Sequence, residues 1–350
     1  MDGTLQFPVA SPPRPGETIA IAPGIRWLRM PLPFALDHIN LWLLEDGPQW
    51  TIVDCGYTSD ETKDAWERIF AERLGGRPVG RIIATHYHPD HMGLAHWLTE
   101  RWQAPLWTSE KEWLCARLFS LEDGPDATAI RTGFAREAGL DAAASEAFAV
   151  RHRNYRRGVP AVPATYHRIG DGTAFEIGGR EWRVIVGEGH APEHACLYCA
   201  EAGVLIAGDQ ILPKISPNIS VQAHEPDGDP LARYLSSLGK LGRAIPDETL
   251  VLPSHNLPFY GAARRIAELE AHHRARCEEV LAACARPHSA AELMPVLFRR
   301  RLDAHQTGFA LGEALAHLHY LMGRGEIVRT LGTDGVARFS RSAHALAVAD

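Results

Sequence analysis

Residues 79–93 read VGRIIATHYHPDHMG, and their reading decides the fold. Residues 79–84 form a short apolar run of the kind that makes a buried strand. That run leads straight into Thr85-His86-Tyr87-His88-Pro89-Asp90-His91, so four ligand-type side chains, His86, His88, Asp90 and His91, gather on the loop that follows it. A lone histidine is ordinarily a surface or hydrogen-bonded core residue. Three histidines and an aspartate within six positions, directly after a buried strand, point instead to a metal site. Neutral imidazole and carboxylate suit a divalent, zinc-like ion.

Three segments downstream repeat the arrangement. His190 lies in GHAPEH (189–194) after an expected strand at 182–186, Asp209 follows the apolar run 204–207, and His255 ends PSH (253–255) after 249–252. Upstream, the apolar run 50–53 ends in Asp54-Cys55-Gly56. Each puts a ligand-capable residue just past a strand end, where the loops of a sheet gather around one site.

The first 24 residues, rich in proline and glycine, read as an arm. Strands are expected at 25–30, 39–44, 50–54, 105–108, 173–177, 182–186, 195–200, 204–207 and 249–252, with helices at 58–74, 93–101 and 230–241. Ser109 with Glu112 three positions on reads as a capping box at a helix start. Residues 110–165 are Ala-, Glu- and Arg-rich, helical in pattern and closed by the basic stretch 151–157; this insertion is expected to cover the mouth of the site. From residue 259 the chain turns helical, over 262–283, 290–298 and 312–324, and ends in a hairpin of 327–331 and 336–339. Helices followed by a small hairpin suggest a winged-helix-like unit. The expected organisation is an arm (1–24), a sheet domain (25–258, with the insertion) and a helical domain (259–350).

A chain of 350 residues exceeds the size at which one core usually stops growing, about 250–300 residues, so a large domain with a smaller companion is expected. Apolar residues at 45% and charged residues at 23% exclude a disordered, collagen-like or coiled-coil chain. No stretch is apolar for long enough to span a membrane, and the start lacks a secretory pattern. Asp+Glu of 43 against Lys+Arg of 36 removes a global basic footprint, which leaves any nucleic-acid partner to a local patch. The six cysteines are too few for a disulfide scaffold. Cys196 and Cys199 form a CxxC in an expected strand, where positions three apart face opposite sides and suit neither a shared metal nor a redox pair. A reducing cytoplasm is the expected setting.

The order DCG, THYHPDHMG, GHAPEH, GD and PSH, running from residue 54 to 255, resembles the metallo-β-lactamase-fold hydrolase superfamily. The resemblance implies an α/β fold, a four-layer αββα sandwich. It implies one metal ion on His86, His88 and His190, a second on Asp90, His91 and His255, and Asp209 bridging the two. Asp54 would orient the ligand loop from behind, and His194 would be structural. The implied cofactors are two divalent ions, zinc foremost, with manganese or iron as alternatives. Their chemistry is a hydroxide held between the ions that attacks a polarised carbonyl or phosphoryl group. Asp209 and Asp90 would take part in catalysis, Asp90 by orienting the nucleophile or moving its proton.

Departures from better-known branches narrow the choice. Zinc enzymes that cleave antibiotics are secreted, and many lack a counterpart of Asp209, which argues against that activity. Flavodiiron-type members usually carry glutamate where this chain has His88. Ala191-Pro192-Glu193 and Pro253-Ser254-His255 differ from the TPG and PGH of glyoxalase II, so a glutathione thioester is not indicated. The C-terminal helices and hairpin resemble the appendage of lactamase-β-like hydrolases, a group with both endoribonucleases and thioesterases. Here that appendage is read as a packing or dimerisation module, compatible with a homodimer. The favoured substrate is a small thioester, ester or lactone, such as an acyl-CoA, whose phosphorylated handle the basic run 151–157 could hold; the proline-punctuated loop 210–218 could touch it too. The alternatives are a metal-dependent endoribonuclease, whose binding would weaken steeply with salt, and a persulfide dioxygenase-like enzyme with one iron.

Overall fold

The structure is a computed structural model that describes residues 4–34, 36–121, 124–152 and 155–343. It divides into two compact units: residues 1–121, 155–217 and 238–266, and residues 122–154, 218–237 and 267–350. Residues 110–121 of the sequence-expected insertion therefore belong with the sheets, and 122–154 with the C-terminal helices.

The first unit is built on two sheets. One has seven strands in chain order: Ile19–Ala22, Ile25–Pro31, His38–Asp46, Gln49–Val53, Val79–Ile83, Leu106–Thr108 and His167–Arg168. The other has five, ordered Leu250–Pro253, Val204–Gly208, His194–Cys199, Arg180–Gly187 and Ala174–Ile177. The first strand of the seven lies inside the stretch expected to be an arm. Ile19–Ala22 pairs antiparallel with Ile25–Pro31 around Gly24, whose φ of 75° is the left-handed conformation that glycine accepts readily.

Side-chain alternation assigns the faces. Along His38–Asp46, Ile39, Leu41 and Leu43 join an outer cluster, while Trp42 and Leu44 point into the core between the sheets. Trp27, Val53 and Ile83 from the first sheet and Trp182, Val184, Leu197, Ile206 and Leu252 from the second share that inner core. Helix Asp60–Glu72 covers the outer face of the first sheet with Trp66, Ile69 and Phe70, and helix Ala95–Trp102 adds Leu98. Ser59 starts the former by accepting the Thr62 N–H. The single helix expected at 93–101 is instead a short turn, Pro89–Met92, followed by Ala95–Trp102.

Gln49–Val53 and Val79–Ile83 run parallel, as do Val204–Gly208 and Leu250–Pro253, so the loops after these strands leave the sheets at their carboxyl ends. The two sheets are joined there by Ala195 N–H donating to Thr85 O at 2.8 Å and Asn40 N–H donating to Ser254 O at 2.7 Å.

The second unit contains helices Pro125–Glu137, Ala142–His152, Ala290–Leu297 and Ala304–Gly323 and the hairpin Ile327–Leu331/Ala337–Arg341. Two of these helices start with complete capping boxes, Ser289/Glu292 and Asp303/Gln306. Among the described residues, no helix is long and apolar enough to cross a membrane.

Candidate metal centre

All seven sequence-predicted ligands come together. Ligand atoms of His86, His88, His190 and Asp209 lie within 4.8 Å of one another, and those of Asp90, His91 and His255 form a second group on the same limit. Nε2 of His86 is 2.9 Å from Nδ1 of His88. Asp209 faces both groups: its Oδ2 is 3.4 Å from His190 Nε2, and its Oδ1 is 3.4 Å from His255 Nε2 and 3.7 Å from His91 Nε2. Asp90 Oδ2 approaches the Nε2 atoms of His255 and His91 at 3.5 and 3.7 Å.

Hydrogen bonds behind the ligands decide which nitrogen points inward. His91 Nδ1 donates to Asp54 Oδ2 at 2.8 Å, and His255 Nδ1 donates to His38 O at 2.8 Å, which leaves both Nε2 atoms facing the carboxylates. Asp54 also accepts the N–H and hydroxyl of Thr85. It adopts φ 63°, a left-handed conformation rare outside glycine, so the turn after Gln49–Val53 is strained where it supports the ligand loop. His194 is committed elsewhere: its Nε2 accepts the Asp209 N–H at 3.0 Å. Any side chain at Gly208 would collide with that imidazole.

The donor set fits divalent cations. His91 Nε2 and Asp209 Oδ1 are buried polar atoms with no hydrogen-bond partner, an arrangement costly in a protein interior unless a cation or a shared proton satisfies it. Burial drives His86 well below the usual histidine range and His88 down to about 3, so both carry free lone pairs at neutral pH. Burial also opposes charge on His91 and His255, but facing carboxylates outweigh it and raise both, His255 to about 10. Asp209 is held well below the usual carboxylate range, because His255 and His91 outweigh its burial. His86 and His88 are therefore neutral imidazoles, whereas carboxylates dominate the surroundings of His91 and His255.

One expectation about the surroundings changes, and two supporting residues are new. Ser109 and Glu112 do not form a capping box: Ser109 Oγ donates to Glu193 O at 2.8 Å, and the buried Glu112 carboxylate accepts N–H groups from Tyr87 and Glu193. Asn40 and Arg29 carry no motif in the sequence, yet they fix the His255 loop. Asn40 Nδ2 donates to Pro253 O and Asn256 O, and Arg29 donates to Asn256 O. Asn256 sits at φ 70°, and an asparagine directly after the last ligand was the available sequence signal.

Of the basic run 151–157, residues 153 and 154 lie outside the described residues. Arg156 and Arg157 are exposed on the short helix Tyr155–Gly158. Tyr155 donates its hydroxyl to Tyr87 O at 2.6 Å, which docks this helix on the first ligand loop. The loop after Asp209 is tied down by Arg265, whose guanidinium donates to Leu212 O and Ile215 O. Cys196 and Cys199 lie on one strand, both buried and free. Cys199 joins the core between the sheets, while Cys196 Sγ contacts His194 Nδ1 and Ala207 O.

The two-sheet sandwich with a His/Asp cluster at its strand ends defines a metallo-hydrolase, and the chain belongs to the metallo-beta-lactamase superfamily, whose profile matches residues 35–255. A second profile, the metallo-beta-lactamase-like C-terminal domain, matches residues 277–342. A crystal structure of a beta-lactamase domain protein from Burkholderia ambifaria is 50% identical, covers 97% of both chains and superimposes with a TM-score of 0.88. The metallo-beta-lactamase family protein TTHA1429 from Thermus thermophilus is 33% identical over 92% of this chain and all of its own, with a TM-score of 0.77. The probable metallo-hydrolase YqjP from Bacillus subtilis is 25% identical over 72% of this chain and 78% of its own.

Proposed function

We propose that this protein is a binuclear metal-dependent hydrolase of a small thioester, ester or lactone. One observation carries the reading: two ligand groups share Asp209, whose two oxygens face opposite groups. His86, His88 and His190 would hold one ion, and Asp90, His91 and His255 the other, zinc being the first choice for this nitrogen-rich set. Bound there, divalent ions would lower the pKa of a water towards about 7 and would polarise a carbonyl oxygen.

The chain's own groups do the rest. Asp54 and the His38 carbonyl keep His91 and His255 in the ligand tautomer. Asp90 is more exposed than Asp209 or Asp54 and, with Oδ2 turned to the histidines, keeps Oδ1 for the proton of an attacking water. Asp90→Asn should keep part of the metal and lower kcat about 100-fold, the scale of a lost general base; full rate with both ions retained removes this role.

For the substrate, the flank beside Asp90 is suggestive. Half-buried Tyr57 lies within electrostatic reach of Asp90 and Arg157, and the exposed ring of Phe34 meets Tyr57 edge-on at 5.4 Å. An apolar acyl group against the rings and an anionic handle on Arg157 match this chemistry.

Elemental analysis of the purified protein tests the reading first, followed by a panel of acyl-CoA thioesters, lactones and short RNAs. About two equivalents of zinc or manganese with thioester or lactone turnover supports it. One equivalent of iron, or turnover of RNA alone, overturns it.

A further inference from the structure

The start of helix Glu110–Leu121 is capped from outside its own chain segment. In an ordinary capping box the residue before the helix accepts an N–H from the first turn, and the glutamate at the third position returns the bond. Here Glu193, on the loop that carries His190, takes the first role. Its carboxylate accepts the Lys111 N–H at 3.1 Å, and Glu112 accepts the Glu193 N–H at 2.6 Å. The second oxygen of Glu112 accepts the N–H of Tyr87 at 2.9 Å. Tyr87 stands between His86 and His88 in the chain. A single, fully buried carboxylate therefore ties the loop bearing two ligands of one group to the loop bearing the third.

We infer that Glu112 is a positioning residue for the ion held by His86, His88 and His190, and sets that ion's affinity without setting that of the ion held by Asp90, His91 and His255. The inference rests on the binuclear reading proposed above. The second group is held by other means: Asp54 behind His91, and the His38 carbonyl, Asn40 and Arg29 around His255. None of these groups hydrogen-bonds Glu112, although Asp54 also reaches the first group through the Thr85 hydroxyl, which lies 3.1 Å from His86 Nδ1. Hydrogen-bonding partners behind metal ligands are worth about 10- to 100-fold in affinity. Two N–H groups left without an acceptor at a buried carboxylate site would let both loops relax.

The test is a set of double variants read by metal binding, not turnover. With His255→Ala the remaining ion sits on the three histidines; with His88→Ala it sits on the other group. Adding Glu112→Gln keeps the volume but replaces one acceptor oxygen by an N–H donor. The expected result is a 10- to 100-fold weaker cobalt or zinc affinity in the H255A background and an unchanged affinity in the H88A background. The visible cobalt spectrum should change only in the former. Equal losses in both backgrounds, or none in either, overturn the inference. Should Glu112→Gln unfold the apoprotein, judged by circular dichroism, Glu112→Asp takes its place with the same two readouts. Failure of the unaltered protein to take up two ions overturns the binuclear reading itself, a result distinct from equal losses.

Discussion

Among the described residues, two buried histidine clusters have opposite chemistry. In the first unit, His86, His88, His91, His190 and His255 face Asp90 and Asp209, and ring nitrogens not engaged by supporting groups converge on the carboxylates. In the second unit, His273, His317 and His319 are also buried; they bond one another and the backbone, and His273 Nε2 has no hydrogen-bond partner. His317 Nδ1 donates to Glu313 O at 2.8 Å, its Nε2 is 3.3 Å from His273 Nδ1, and His319 Nδ1 donates to Gly228 O. No group of three ligand atoms forms around them among the described residues. Burial alone then dominates: His273 falls to about 3 and His317 to about 4, whereas His255 among carboxylates rises to about 10. Histidine content does not make a metal centre; carboxylates placed opposite unengaged ring nitrogens do.

The contrast can be broken most sharply at Asp209. Asp209→Ala should remove the group shared by both halves, reduce bound metal below two equivalents and lower kcat/KM by about three orders of magnitude, the scale of losing a principal electrostatic element. Metal analysis and steady-state rates read this, and two tightly held ions would contradict it. Asp54→Asn should act less severely. It weakens support of His91 and Thr85, and zinc competition titration should record an affinity about 10- to 100-fold lower.

The second cluster should respond in stability alone. His317→Ala leaves the Nδ1–H of His273 without its partner and removes the second donor to the Glu313 carbonyl, and should cost about 1–3 kcal/mol in chemical denaturation while metal content stays at the native level. Loss of metal in this variant would erase the distinction between the clusters.

A further effect, of the same order, concerns pH. Burial raises Glu313 to about 7, above its ordinary 4.5, partly offset by a hydrogen bond from Asn218. A raised carboxyl pKa means that the folded protein holds the proton more tightly. Its contribution is fully present below about 4.5 and is lost as pH rises through about 7, on the order of 3 kcal/mol. Glu313→Gln should flatten that slope between pH 4.5 and 7 in urea titrations, and an unchanged slope would refute the assignment.

The motifs and the sandwich were legible because each depends on short-range information. A mainly apolar strand of five residues followed within three positions by His86, or at once by Asp209, announces a strand end with a ligand, and alternation along His38–Asp46 assigns its faces. The arm was misread in part because a four-residue strand at a sheet edge carries almost no pattern of its own. The grouping of residues 122–154 and 218–237 with the C-terminal helices was equally invisible, since contacts between distant segments decide it.

Amino-acid order alone determined which residues stand at the strand ends and that their chemistry suits divalent cations. Tertiary structure decided that Asp209 turns one oxygen to each group, that His194 is spent on the Asp209 N–H, and that Glu112 serves two ligand loops instead of its own helix. The physical reason is sequence distance. Glu112 meets partners 25 and 81 residues away, and Asn40 meets one 213 residues away. Such hydrogen bonds depend on how the sheets bring remote loops together, and no local spacing encodes them.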